Sequence, residues 1–185
     1  MKNLENWFSK GLSREEYIGN MQVHQDHLQK VYEGFSLNNE ERELLAPLKE
    51  KRLKAVILTA DWCGDAMVNL PIFMHIADAA GIEERYLIRD ENLELMDQYL
   101  TNGKSRSIPI ILLLNDNGEE TVKWGPRAPE AEKQVSELKK DLPSKEDPAF
   151  DDAFKQFAAN LAQVFTEDHS LWNSIKKDMF KSILS

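Results

Sequence analysis

A single cysteine, Cys63, stands among 185 residues, inside the string Thr59-Ala60-Asp61-Trp62-Cys63-Gly64-Asp65-Ala66. Thiolate sulfur is a strong nucleophile, so the first chemistry this residue brings to mind is attack on a disulfide or a related sulfur bond. A Cys-x-x-Cys pair stores two electrons as an internal disulfide, because the second thiolate attacks the mixed disulfide made by the first. Position 66, where that second thiol would stand, is alanine. A lone thiol can form the mixed disulfide but cannot resolve it from within, so an external thiol has to release it.

The reactivity of Cys63 depends on what holds it. Ala55-Val56-Ile57-Leu58-Thr59 is short, apolar and partly β-branched, and reads as a strand buried on both faces. From Asp65 to Ala80 the spacing of Val68, Ile72, Ile76 and Ala79 predicts a helix, stopped by Gly81 and kinked at Pro71. Cys63 thus falls at a strand-to-helix junction. Unpaired N–H groups and the positive end of the helix dipole favour thiolate there, whereas Asp65 opposes ionisation. The two effects have opposite signs, and the sequence leaves the balance open. Trp62 adds a large apolar wall. A side chain at such a junction is expected to face solvent; the alternative is a small, inert core residue.

Helices are expected over Ser13 to Lys30 and Asn38 to Lys51, the second capped by Ser36 or Asn38. Arg85-Tyr86-Leu87-Ile88 is a second strand, followed by a helix over Asn92 to Thr101 that Gly103 ends. The resulting β-α-β unit implies a right-handed crossover and a parallel strand pair. Ile108 to Leu114 is a third, strongly apolar strand. Asn115-Asp116-Asn117-Gly118 is a hairpin turn, and Glu120 to Trp124 the partner strand, broken by Gly125 and Pro126. A helix over Pro129 to Leu142, a Pro143 to Pro148 linker and helical spacing through Phe150 to Val164 and Ser170 to Leu184 complete the chain. The last apolar stripe (Leu171, Trp172, Ile175, Met179, Phe180, Ile183) either packs on the main domain or makes a homodimer contact.

Composition sets broad limits. A net charge of −9 repels phosphate backbones and anionic lipid at long range, which argues against nucleic acid and membrane surfaces as partners. No apolar stretch approaches the roughly 20 residues of a membrane span. With one cysteine there is no intrachain disulfide framework, and a cytoplasmic location is expected. His24 and His27, three apart on an expected helix, lack a visible third ligand and read as solvated surface. No glycine motif for phosphate, no metal set and no cofactor are indicated.

The order strand-Cys-helix-strand-helix-X-Pro-strand-turn-strand-Gly-helix resembles the thioredoxin fold. Individual residues extend the resemblance. Ala60-Asp61-Trp62-Cys63-Gly64 is similar to the thioredoxin active-site approach, and Pro71 falls at that family's kinking position. Ile108-Pro109 is similar to its strand-opening Ile-Pro, and the stretch IPIILLLNDNG, followed by Lys123 and Gly125, continues the likeness. The resemblance covers residues 53–142. It implies an α/β, thioredoxin-like fold with a central mixed sheet of about four strands flanked by helices. Residues 1–52 would be an N-terminal helical extension packed on the core, 53–142 the thioredoxin-like domain, and 143–185 a linker and C-terminal helices.

The resemblance also implies a cis Ile108–Pro109 bond, Ile108 offering its backbone to an extended substrate, and Cys63 as the attacking residue. Trp62, Gly64, Asp65, Ile108, Pro109, Trp124 and Gly125 would border the docking surface, although Trp124 is equally readable as a packing residue. Two departures from the thioredoxin pattern agree with each other. Ala66 replaces the resolving cysteine, and Ile57 stands where thioredoxins carry a buried acid that assists the second thiol. Together they suggest a monothiol thiol–disulfide oxidoreductase acting on a protein disulfide or a low-molecular-weight thiol adduct and released by an external thiol reductant. The alternatives are a non-catalytic binding module, and a Cys-x-x-Cys enzyme whose second cysteine was replaced by Ala66.

Overall fold

The computed structural model describes residues 2–185. Its centre is a four-stranded mixed sheet of order β2-β1-β3-β4, formed by β1 (Lys54–Thr59), β2 (Glu83–Ile88), β3 (Ile110–Leu114) and β4 (Glu120–Trp124). β1 pairs parallel with β2, from Lys54 opposite Glu83 to Thr59 opposite Ile88. It pairs antiparallel with β3, where Leu58 faces Ile110, and β3 closes the hairpin with β4. This is the parallel pair plus hairpin that the sequence pattern predicts. All five residues of β3 and the last five of β1 are buried, as expected for strands covered on both faces. The long helix α5 (Gly64–Ala80; the shorter helices preceding it are α1–α4) begins directly after Cys63 and is apolar on nearly all sides. A helix of that composition must be covered all round.

The N-terminal region differs from expectation. A short helix, α1 (Glu5–Lys10), was not expected. The single helix expected over Ser13 to Lys30 is two, α2 (Arg14–Asn20) and α3 (Gln25–Gly34). α2 opens with a capping box between Ser13 and Glu16, then stops where Met21 turns extended and His24 takes a left-handed conformation. The physical reason is tertiary: the Asp61 carboxylate accepts from the backbone N–H groups of Gln22 at 2.7 Å and Val23 at 3.2 Å. Those donors are thereby satisfied outside a helix, and the turn is tied to the loop carrying Cys63. α4 (Asn39–Leu45) has its own capping box, Asn38 with Glu41, and tightens into a 3₁₀ stretch from Ala46 to Lys51 at Pro47. Of the helix expected over Asn92 to Thr101 only α6 (Leu93–Met96) forms.

Arg14 clamps this region to the core. Its guanidinium donates to Glu84 through Nε at 2.8 Å, to Asp78 at 2.8 Å and to the Met74 carbonyl at 3.3 Å. Glu84 is buried and also accepts from the Tyr86 hydroxyl at 2.8 Å. Removing one partner of such a set strands a buried charge, a loss on the order of 3–5 kcal/mol. Tyr17 of α2 stacks on Tyr86 with ring centroids 4.7 Å apart.

Of the helices α7 (Pro129–Lys139), α8 (Phe150–Glu167) and α9 (His169–Ile183), the last two pack against α5, and α7 packs on both of them. Leu171, Trp172, Ile175, Met179 and Ile183 of α9 are buried against α5, α7 and β4, so the stripe packs on its own domain. Each such side chain contributes on the order of 2 kcal/mol, which makes the C-terminal helices part of the core. Buried Lys176 pairs with Glu41 of α4 and donates to Asn173 at 2.9 Å.

Two proline-led segments meet beside the sheet, and both the Ile108–Pro109 and Gly125–Pro126 bonds are cis. Gly125 has a positive φ of 114°, and a Cβ there would collide with the Pro109 carbonyl oxygen. Glycine is therefore required on two counts, conformation and space. Gly125→Ala should destabilise the protein by about 3 kcal/mol or more, read as a lowered urea midpoint at unchanged slope; an unaltered midpoint would show that this junction yields freely.

Candidate functional site

Cys63 is the residue immediately before α5, with its carbonyl accepting from Ala66 N–H at 3.1 Å. Its Sγ donates to the Ile108 carbonyl at 3.3 Å. The strand register explains this contact, since pairing Leu58 with Ile110 brings the segment entering β3 alongside the segment leaving β1. Cys63 lines a cleft of ≈ 390 Å³ and is only 7% exposed. The open, solvent-facing side chain expected at the junction is thus corrected to a recessed one: the Ile108 carbonyl and the ends of β1 and α5 close around it.

That burial decides the electrostatic question. Desolvation comes first and pushes the Cys63 thiol up, to about 11, with the Asp65 carboxylate adding to the rise. The backbone N–H groups of Ala66 and Asp65 and the cation of Arg127 pull the other way without prevailing. At neutral pH Cys63 is a thiol, and its hydrogen bond to Ile108 uses the proton. Asp65 is itself mostly buried. Its carboxyl is pushed up by burial, against a 2.6 Å hydrogen bond from Arg127 Nε. Arg127 also donates to Glu132 at 2.7 Å, so a two-carboxylate partnership holds one guanidinium at the cleft wall.

Trp62, Asp65 and Ile108 line the cleft with Cys63. Trp62 is 47% exposed, with the Arg89 guanidinium 4.6 Å from its ring centroid. Gly64, Pro109, Trp124 and Gly125 do not line it. Gly64 starts α5, while Pro109 and Gly125 press against each other behind the rim. Trp124 is 5% exposed, and its indole N–H donates to Asp178 of α9 at 2.8 Å. It is therefore a packing residue, covered by the C-terminal helix. Ala66 is buried one turn along α5, and Ile57 is fully buried in β1.

Arg89, Ser105, Arg106, Ser107, Pro126 and Arg127 complete the lining, and none was singled out from sequence. All lie in loops between the expected elements, and no local pattern marks them. Asn69 supports the same region: its buried amide donates to the Pro126 carbonyl at 3.1 Å. His24 and His27 sit away from the cleft with their Nδ1 atoms 3.0 Å apart. Among the described residues, no three His, Cys, Asp or Glu side chains cluster as metal ligands do, and no helix is long and apolar enough to cross a membrane.

Comparison with known proteins agrees with this architecture. The chain is similar in structure to a protein of unknown function from Pseudomonas aeruginosa, with a TM-score of 0.64 at 16% identity over 95% of this chain and 96% of that one. It is also similar to an HIV epitope-scaffold, with a TM-score of 0.60 at 15% identity over 95% of this chain and 99% of the other. At these identities the likeness establishes fold alone. No curated protein matches the chain. A family profile described as Thioredoxin matches residues 11–140, which takes in α2 to α4 as well as the sheet. With the four-stranded mixed sheet, the strand-to-helix cysteine and that match together, the chain belongs to the thioredoxin family.

Proposed function

We propose that the protein exchanges thiols and disulfides through Cys63 alone. The observation that supports this best is a cleft lined by Cys63, whose Sγ touches the backbone of the proline-led segment. Loss of the thiol proton to solvent gives a thiolate facing the N–H groups at the start of α5. The thiolate attacks a disulfide RS–SR: a Cys63–SR bond forms, the old S–S bond breaks, and RS⁻ leaves and takes up a proton. An external thiol R′SH, acting as R′S⁻, then attacks the mixed disulfide, forming R′S–SR and returning Cys63. The net reaction moves an RS group between thiols and needs no second cysteine, in keeping with Ala66. Protein disulfides and low-molecular-weight thiol adducts are both substrates of the right chemistry.

A second reading, a thioredoxin-fold binding module without turnover, draws on the recessed and protonated state of Cys63. The two differ in what Cys63→Ser does: it abolishes exchange in the first and leaves partner affinity intact in the second.

Incubation with oxidised glutathione at pH 8.5 followed by intact-mass measurement should add one glutathionyl group, absent in Cys63→Ser. A protein that iodoacetamide labels at Cys63 but that never takes the adduct would overturn the exchange reading.

The pH profile supplies an independent check. Because only thiolate reacts and the thiol titrates at about 11, alkylation of Cys63 should accelerate about tenfold per pH unit from pH 7 to pH 10 and level off only above about pH 11. Asp65→Asn removes a charge that opposes ionisation and leaves Arg127 facing the sulfur, so both changes lower the midpoint. Alkylation at pH 7 should then be several-fold faster; an unmoved profile would mean that Asp65 has no hold on the thiol.

A further inference from the structure

The lining of the cleft above Cys63 is richer in cationic than in anionic side chains, although the chain is acidic. The protein has a net charge of −9, yet the lining contains three guanidinium groups, Arg89, Arg106 and Arg127, against one carboxylate, Asp65. The other acids bonded to these arginines, Asp90, Asp97 and Glu132, are not part of the lining. They hold the cations from behind. Arg106 donates Nε and Nη2 to Asp97 at 2.6 and 2.9 Å, and Arg127 uses Nε and Nη1 on Asp65 and Glu132. Arg106 Nη1 and Arg127 Nη2 have no acceptor among the described residues. Arg106 and Asp97 are each about half exposed, so a ligand carboxylate can share the guanidinium at little cost.

From this arrangement we infer that the cleft is a subsite for the carboxylate groups of a low-molecular-weight thiol, presented so that its sulfur reaches Cys63. The inference rests on the exchange reading and names its substrate class. The recessed sulfur admits a slim disulfide. The ≈ 390 Å³ cleft suits a small molecule, and Arg106 Nη1 and Arg127 Nη2, the guanidinium nitrogens not engaged by Asp97, Asp65 or Glu132, can each donate to a carboxylate. In the exchange, the acidic thiol's sulfur becomes bonded to Cys63, its former partner leaves as a thiol, and an external thiol later frees Cys63 as a new disulfide. The arginines take no part in the bond changes. They hold the carboxylates and raise the local concentration of anions.

The test compares the rates at which three disulfides modify Cys63: anionic oxidised glutathione, neutral hydroxyethyl disulfide and cationic cystamine. Oxidised glutathione should react fastest and cystamine slowest at low salt, with the spread narrowing at high salt. Arg106→Gln, a substitution on the exposed rim, should slow oxidised glutathione about fivefold to tenfold more than it slows hydroxyethyl disulfide. Equal rates for the three reagents, or an equal loss with both reagents in the variant, would overturn the inference. A non-covalent arm separates this result from failure of the exchange reading. S-methylglutathione cannot react, yet it should shift the backbone amide signals of residues 105–108 in an NMR titration. The shifts should be weakened by Arg106→Gln and lost when both carboxyl groups are esterified. Shifts without any adduct on Cys63 would keep the subsite and discard the chemistry; no shifts at millimolar ligand would discard the subsite.

Discussion

The hydrogen bond from Cys63 Sγ to the Ile108 carbonyl joins the two chain segments on which the site is built, the exit of β1 and the entry to β3. It depends on the antiparallel register of those strands and on the packing of Gly125 against Pro109 behind it. It also sets the chemical state of the sulfur. A thiol that donates to a carbonyl in a mostly buried position is stable as a thiol, and the N–H groups at the head of α5 do not compensate for the lost water. Cys63 is therefore held as a thiol at neutral pH.

The helices outside the sheet shape the same place. Asp61, two residues before Cys63, binds the turn between α2 and α3, so the N-terminal helices hold the loop that presents the cysteine. On the other side, Asp178 of α9 takes the indole N–H of Trp124, and α9 lies against β4. That contact removes the end of the hairpin from the accessible surface. What remains open is the cleft between the Cys63 loop and the segments around Arg106 and Arg127.

Several features of this site could be recognised along the chain and others could not. Trp62, Asp65 and Ile108 were legible because they adjoin the cysteine or the strand-opening proline. Trp124 was ambiguous: an aromatic at a strand end serves docking or packing alike, and only the position of α9 resolves it. Arg127 was silent because its partner Asp65 is 62 residues away, and nothing local marks an arginine in a loop as a neighbour of Cys63. The helix expected over Ser13 to Lys30 failed for a related reason. Its amphipathic pattern is real on both halves, but a distant carboxylate bonds the backbone between them.

The sequence by itself determined what is local: the strand and helix periodicities, the cysteine at their junction, the absence of a second thiol and the proline that leads β3. Each follows from nearest-neighbour sterics and from the burial of apolar side chains at regular spacing. Only the tertiary structure decided the state of Cys63 and the charge of its cleft. Both are sums over groups far apart in the chain, in which the loss of water around the sulfur outweighs the local N–H groups and ion pairs from separate loops turn their guanidiniums toward one opening.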